Sequence, residues 1–279
     1  MDNKLISKLN IIRNNIGSEN LCCPICKKNI FLNENSLICE DKHTFDFNKK
    51  GYIKLLKTYK NHFDKIYTSE LFLNRKTVIL QGFYQELHKT IQQIINNKFN
   101  HKINILDIGA GEGSHTKIIT ENINFDKCYL TDITEDAIKL STQYLSKKII
   151  PIVCDAYNLP FKKCFDVILD ILSPYSYKEI YSVLKDNGIF IKVVPNKNYL
   201  KEIRNSNNMK EYTENESVLI NFATHFNVVQ KFNIDKTFNI TEEQSKAFTK
   251  MTPLTESLSN VVNPNKITIS LCVLVGEKK

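Results

Sequence analysis

The sequence predicts an α/β protein built on a doubly wound parallel sheet, with a small cysteine-rich module ahead of it. Three observations predict this. From Lys102 onward, short apolar runs alternate with stretches of helical periodicity, the signature of a sheet with helical crossovers. The first of these runs leads directly into Asp107-Ile-Gly-Ala-Gly-Glu-Gly113, a loop with glycine at every second position. Nearer the N-terminus, four potential metal ligands fall in the pattern C-x2-C-x12-C-x3-H, from Cys23 to His43.

Taken in order, residues 1–21 read as an extension holding a short surface or packing helix. Leu5, Leu9, Ile12 and Ile16 share one face, and Lys4, Lys8 and Arg13 are interspersed rather than leading an apolar core, which tells against a signal peptide. Residues 22–60 form the cysteine-rich module. Cys23, Cys26, Cys39 and His43 make two short knuckles, each offering two soft or borderline ligands, as tetrahedral zinc requires. Four protein ligands leave no open position, so the zinc is expected to be structural. Cys22 is an adjacent spare that could replace Cys23. Between the knuckles, Ile30-Phe-Leu and Ser36-Leu-Ile flank a polar turn and predict a hairpin. A module this small does not fold on a hydrophobic core alone.

A basic stripe follows. From Lys42 to Lys65 there are seven lysines against two acids, much of the net charge of +8. Such a stripe is a footprint for polyanions, nucleic acid first. Lys49, Lys50 and Lys54 are the candidate phosphate contacts. The interleaved Phe45, Phe47 and Tyr52 are expected mostly to pack the module. Residues 61–100 read as a helical connector, divided in two at Gly82.

Residues 101–279 form the larger domain. Strands are expected at 103–108, 128–131, 149–154, 165–171, 189–194, 226–232 and 267–275, seven in all, with helices at 114–123, 135–146 and 177–184 and a turn at 185–188. In open α/β sheets ligands bind at the carboxyl ends of the strands. Asp107 closes the first strand, Asp132 the second, and Asp155 with Ala156 follows the third. The glycine loop reads G-x-G-x-G, Gly109, Gly111 and Gly113, where a dinucleotide site needs G-x-G-x-x-G under a pyrophosphate. S-adenosylmethionine has no phosphate; it has a sulfonium, an amino group, ribose hydroxyls and an adenine amino group, all suited to acids beside a glycine turn. Asp132 is placed to accept ribose hydroxyls and Asp155 the adenine amino group. The fourth strand ends in Ile171-Leu-Ser-Pro-Tyr175. It lacks the Asn/Asp-Pro-Pro-aromatic segment that grips an exocyclic amino group and the Pro-Cys nucleophile that attacks a pyrimidine ring. A purine ring nitrogen fits such a site. Its proton must leave, so a base is expected, with Asp170 and Tyr175 the nearest candidates.

The glycine loop resembles motif I of Rossmann-like class I S-adenosylmethionine-dependent methyltransferases. Taken with Cys23-Pro-x-Cys26, Cys39, His43-Thr-Phe-Asp46, Gly51-Tyr-Ile-Lys-Leu-Leu56, Leu159-Pro-Phe161 and Met251-Thr-Pro253, the chain from Cys22 onward resembles the RlmA family, 23S rRNA (guanine-N1)-methyltransferases. The resemblance implies a zinc-ribbon RNA-recognition domain, a methyltransferase domain, structural zinc on Cys23, Cys26, Cys39 and His43, and often a homodimer. It also implies cofactor contacts at Gly111, Glu112, Tyr84 and Tyr199. Gly109-Ala-Gly stands where Gly-Cys-Gly is more usual, and Tyr199 where relatives often carry histidine. One branch of the family is linked to resistance against macrolides such as tylosin.

No apolar run is long enough to span a bilayer, so no membrane partner is expected. Clustered thiols without a secretion signal point to a reducing compartment and a cytoplasmic location. Cys128, Cys154, Cys164 and Cys272 lie among apolar residues and read as buried thiols. Two other functions fit parts of the chain: a small-molecule methyltransferase with the zinc module as a lid, and a non-enzymatic zinc RNA-binding protein with a degenerate catalytic domain.

Overall fold

The computed structural model describes residues 3–57, 66–209, 216–255 and 260–279. Lys60 and Lys65 of the basic stripe, and the expected junction between module and connector, lie outside the described residues. The chain opens with α1 (Asn3–Asn15), then four short strands, β1 (Ile30–Asn33), β2 (Ser36–Cys39), β3 (Thr44–Asn48) and β4 (Tyr52–Leu55). Two helices follow, α2 (Ser69–Leu80) and α3 (Gln85–Lys98). The break between them falls at Gly82, whose φ of +87° suits glycine. Thr68 caps α2 by accepting a hydrogen bond from Leu71 N.

The larger domain runs β5 (Ile103–Ile108), α4 (Ser114–Thr120), β6 (Phe125–Asp132), α5 (Glu135–Ser141), β7 (Ile149–Cys154), β8 (Phe165–Ile171), α6 (Tyr177–Val183) and β9 (Leu184–Pro195). It ends with α7 (Lys201–Ser206), α8 (Glu216–His225), β10 (Phe226–Asn239), α9 (Glu242–Lys250) and β11 (Lys266–Lys278). The seven expected strands are β5 to β11. They lie in the order β7-β6-β5-β8-β9-β11-β10, parallel except for β11, which runs antiparallel to both β9 and β10. Residues 185–188 are a bulge within β9 rather than a free turn. Leu184 still pairs with Phe165, and Ile189 picks up Val167.

Among the described residues the sheet has eleven strands, not seven. The reason is one parallel pairing: Ile53, Lys54 and Leu55 of β4 sit opposite Ile152, Val153 and Cys154 of β7. β7 would otherwise be an open edge, and the ribbon covers it. The cysteine-rich module is thereby continuous with the larger sheet.

Apolar residues on successive positions of the central strands point to opposite layers. Ile105, Leu130, Val167 and Leu169 join a core with α3, α4 and α9. Leu106, Tyr129 and Ile168 join a second core with α1, the ribbon, α6 and α8. Burial on both faces explains why these strands read as unbroken apolar runs. The first twenty-one residues contribute to this second core. Ile12 and Ile16 are buried in it, Tyr129 donates its hydroxyl to Ile16 O at 3.0 Å, and Lys127 Nζ donates to Asn15 O at 2.9 Å. Cys128, Cys154, Cys164 and Cys272 are buried thiols, as expected.

Candidate functional site

The two knuckles are built alike. Cys23 N donates to Lys28 O and Lys27 N to Cys23 O; Cys39 N donates to His43 O and Lys42 N to Cys39 O. Lys27 and Lys42 occupy the matching left-handed positions, φ +61° and +63°. The hairpin β1–β2 then brings both turns together. The ligand atoms of Cys23, Cys26, Cys39 and His43 all lie within 4.8 Å of one another. Cys26 Sγ is 3.7 Å from Cys39 Sγ, and His43 Nδ1 is 3.6 Å from Cys23 Sγ and 3.3 Å from Cys39 Sγ. A tetrahedron with zinc–sulfur bonds of about 2.3 Å has edges near ~3.8 Å, so the donor set fits the ion. Burial pushes the Cys39 thiol up, yet backbone N–H groups of His43 and Asp41 prevail and hold it down at about 7, while burial and the neighbouring thiols push Cys26 up to about 12. Cys22 is not part of this set: its Sγ points the other way and donates to Phe161 O at 3.5 Å.

Phe45 and Phe47 are buried in the module as expected, whereas Tyr52 is buried against Ile138 and Val153 of the larger domain and donates its hydroxyl to Glu135. Lys49 and Lys50 are exposed on the β3–β4 turn. Lys54 is turned toward the larger domain, where its Nζ lies 2.6 Å from Glu135 Oε2.

The candidate cofactor site lies across the carboxyl ends of β5, β6, β7 and β8. Gly109, Gly111 and Gly113 all have positive φ. A Cβ on Gly109 would stand 2.4 Å from Ser173 Cβ, and one on Gly111 would stand 3.3 Å from Phe72 Cε1. The loop is thus closely lined by bulky neighbours and has no room for side chains of its own. Asp132 shapes it: one carboxylate oxygen accepts from Gly111 N at 2.9 Å and the other from Thr134 N at 2.8 Å. Asp107 lies underneath, fully buried, accepting a short hydrogen bond from Thr116 Oγ1; burial pushes its carboxyl up to about 7. Glu112 is also buried and accepts from Ser114 N and Oγ at 2.9 and 2.6 Å. Asp155 and Ala156 lie in the turn after β7, where Asp155 Oδ1 accepts from Tyr157 N at 2.8 Å. Tyr84 and Tyr199, 115 positions apart, meet hydroxyl to hydroxyl at 2.7 Å.

These groups fit S-adenosylmethionine. Acids stand at strand ends for hydroxyl and amino groups, and the left-handed glycines leave the loop's backbone without side chains of its own. One cation also lies at the loop, and the sequence reading missed it. Arg75 of α2 reaches over the loop, its Nη1 3.8 Å from where a Gly111 Cβ would be. It stands 5.5 Å over the Phe72 ring, and its Nη2 donates to Met251 O at 3.2 Å. Among the described residues Nη1 has no hydrogen-bond partner, which suits it to the cofactor's carboxylate. The helical periodicity of α2 draws attention to its apolar face and away from Arg75; the kinship of Met251-Thr-Pro253 to a family motif was the available signal.

The strap after β8 is equally well held. Asp170 is fully buried and its Oδ1 is 2.6 Å from Lys192 Nζ, itself buried, which also donates to Ser173 O at 2.9 Å. Burial raises the Asp170 carboxyl and lowers the Lys192 ammonium, each opposed by the other's charge. Asp170 Oδ2 is buried with no hydrogen-bond partner among the described residues. Lys192 Nζ stands 4.1 Å over the Tyr175 ring, and Leu172, between Asp170 and Tyr175 in the chain, adopts φ +59°, a strained value for leucine. Ser173 Oγ ties the strap to Ile108 O at 2.7 Å. Sequence reading found Asp170 and Tyr175 but not Lys192, which lies in the middle of an apolar strand.

Comparison with known proteins agrees with this architecture. Residues 21–62 match the family described as "RlmA, N-terminal", a zinc ribbon, and residues 99–263 match the family described as "Methyltransferase domain". The chain is 30% identical to the Bacillus subtilis protein YxjB over 92% of its own length and 96% of that protein's; YxjB carries the name 23S rRNA (guanine-N(1)-)-methyltransferase. It is 24% identical to the 23S rRNA (guanine(748)-N(1))-methyltransferase of Streptomyces fradiae over 66% of each chain. Among solved structures, phosphoethanolamine N-methyltransferase 2 of Haemonchus contortus, in complex with phosphomonomethylethanolamine and S-adenosylhomocysteine, has a TM-score of 0.51 at 13% identity, over 80% of this chain and 61% of that one, and shows the shared fold. The chain belongs to the RlmA family of S-adenosylmethionine-dependent methyltransferases, a class I catalytic domain joined to an N-terminal zinc ribbon.

Proposed function

We propose that the protein transfers the methyl group of S-adenosylmethionine to N1 of a guanine in a hairpin loop of 23S rRNA. One observation carries this reading: a zinc ribbon with exposed lysines is joined through β4 and β7 to a cofactor-binding sheet, in a chain whose relative over 92% of its length bears the name of that activity. The bound cofactor supplies an electrophilic methyl on a sulfonium. The protein's own residues supply position and charge. Arg75 takes the cofactor's carboxylate, Asp132 the ribose, and Asp155 with Ala156 the adenine. Tyr84 and Tyr199 close the site together, and Gly109, Gly111, Gly113 and Glu112 shape its floor above Asp107.

Lys49 and Lys50 hold phosphates, and Lys54 adds to the same face while anchored to Glu135. The guanine leaves its stack to reach the strap. There Tyr175 provides a ring to stack on. Asp170, with acceptor capacity left on Oδ2, takes the N1 proton as the methyl arrives, once the strap moves to uncover it. The homodimer implied by the family is part of the proposal, tested by whether the particle in solution has twice the 32.3 kDa chain mass. An rRNA substrate places the enzyme in the cytoplasm.

Incubation with labelled S-adenosylmethionine and unmethylated, protein-free 23S rRNA, followed by digestion to nucleosides, tests the reading. Label is expected in 1-methylguanosine. Label in another nucleoside would move the target atom, and no label in protein that binds the cofactor would favour a small substrate.

A further inference from the structure

The segment that follows the Asp155 turn is stitched along its length to the first zinc knuckle. Cys22 N donates to Pro160 O at 3.0 Å, and Lys162 N donates to Asn20 O at 2.9 Å. Two side chains cross the seam in opposite directions. Lys27 Nζ donates to Leu159 O at 3.0 Å, and Asn158 Nδ2 donates to Pro24 O at 3.0 Å. Both anchors belong to the metal turn itself. Pro24 lies between Cys23 and Cys26, and Lys27 holds its left-handed position because its own N–H closes the turn onto Cys23 O. On the other side, Asn158 N donates to Asp155 O at 2.9 Å, so Asn158 is part of the turn that presents Asp155 and Ala156. One strand earlier, β4 pairs with β7 up to Leu55 and Cys154, the residue before Asp155.

We propose that the first zinc knuckle is a clamp on the cofactor loop, with Lys27 and Asn158 as positioning residues that hold the Asp155 turn in the shape that takes the adenine end of S-adenosylmethionine. The ribbon shares its core with the larger domain, but its two knuckles converge on four ligand atoms within 4.8 Å of one another, so the shape of the knuckles depends on the metal those atoms would hold. Metal loss relaxes the Cys23–Cys26 turn, both crossing hydrogen bonds lose their fixed partners, and the Asp155 turn loses one wall. Coupling between two binding sites is reciprocal, so cofactor binding tightens zinc by the same factor that zinc tightens the cofactor. The clamp rests on the cofactor reading of the sheet and is independent of which RNA is the substrate.

Calorimetric titration of S-adenosylmethionine into the zinc-loaded protein, and into protein stripped by a chelator, tests the clamp. The Kd is expected to rise about 5-fold or more on stripping, the lower end of typical couplings. Because stripping can unfold the ribbon as well, the seam is tested separately with the four ligands intact. Lys27→Met and Asn158→Ala are each expected to raise the Kd and the KM for S-adenosylmethionine several-fold, with kcat at saturating cofactor and KM for RNA held. Lys27→Arg restores the lower values. Lys28→Met, which breaks only the exposed pair with Asp41 on the same knuckle, leaves the Kd in place. Transfer of zinc to a colorimetric chelator is expected to slow when S-adenosylmethionine is added to the wild type, and to slow less in the two seam variants. Unchanged cofactor affinity in both seam variants, with zinc transfer indifferent to the cofactor, overturns the clamp. Absence of cofactor binding to the zinc-loaded wild type would instead overturn the cofactor reading itself.

Discussion

Arg75 and Asp132 both stand at Gly111, a guanidinium whose Nη1 has no hydrogen-bond partner among the described residues and a carboxylate already bonded to the loop's backbone. If Arg75 takes the cofactor's carboxylate, Arg75→Met should weaken S-adenosylmethionine roughly ten- to hundredfold, the range for a hydrogen bond to a charged group, and leave decarboxylated S-adenosylmethionine almost unaffected. Equal losses for both ligands would assign Arg75 to packing on Phe72. Asp170→Asn is expected to lower kcat by about 10²–10⁴ while cofactor binding persists, as for loss of a general base. An unchanged kcat would remove it from the chemistry and leave it as Lys192's partner. Asp107 gives a pH signature. Its carboxyl is raised from 3.8 to about 7 by burial, so the folded protein binds more protons than the unfolded chain between those values. Its contribution to stability is therefore best at low pH and is lost as the pH rises toward 7, by at most about 1.4 kcal/mol per pH unit. Asp107→Asn should remove this slope, read as a difference in urea midpoints against the wild type from pH 4.5 to 7.5. A constant difference would mean that Asp107 is ionised throughout.

At the scale of elements, the exposed basic turn between β3 and β4 carries the proposed phosphate contacts. Lys49→Gln with Lys50→Gln should weaken RNA binding across sequences alike and lower the slope of log K against log salt by about one to two, without changing S-adenosylmethionine affinity. An unchanged salt slope would place the phosphate contacts elsewhere. The strands that form the site were legible in the sequence because they are apolar on both faces and end at acids or glycines. β5, β7 and β8 coincide with their expected spans. The zinc ligands were legible because metal geometry constrains spacing. What stayed hidden was pairing between distant elements. Nothing in Tyr52-Ile-Lys-Leu55 says that it lies parallel to β7, since a half-apolar run carries no information about its partner. The same limit hid Arg75, Lys192 and the seam at Asn158, whose roles arise from neighbours more than a hundred positions away or on the next strand.

For the whole molecule, the central feature is continuity. A zinc ribbon that could have been a tethered module is four strands of an eleven-stranded sheet, and α1 and the ribbon share a core with α6 and α8. On the proposed function, RNA gripped by the ribbon is held in fixed register with the carboxyl ends of β5 to β8, where the cofactor's methyl would be presented. Among the described residues no helix is long and apolar enough to cross a membrane. The most direct test of this account is primer extension by reverse transcriptase on unmethylated 23S rRNA after treatment with the enzyme and S-adenosylmethionine. A methyl on guanine N1 blocks Watson–Crick pairing, so a single new stop in one hairpin loop, absent without cofactor, is the predicted result. Methyl incorporation with no stop would place the methyl on an atom that does not pair and contradict the assignment to guanine N1.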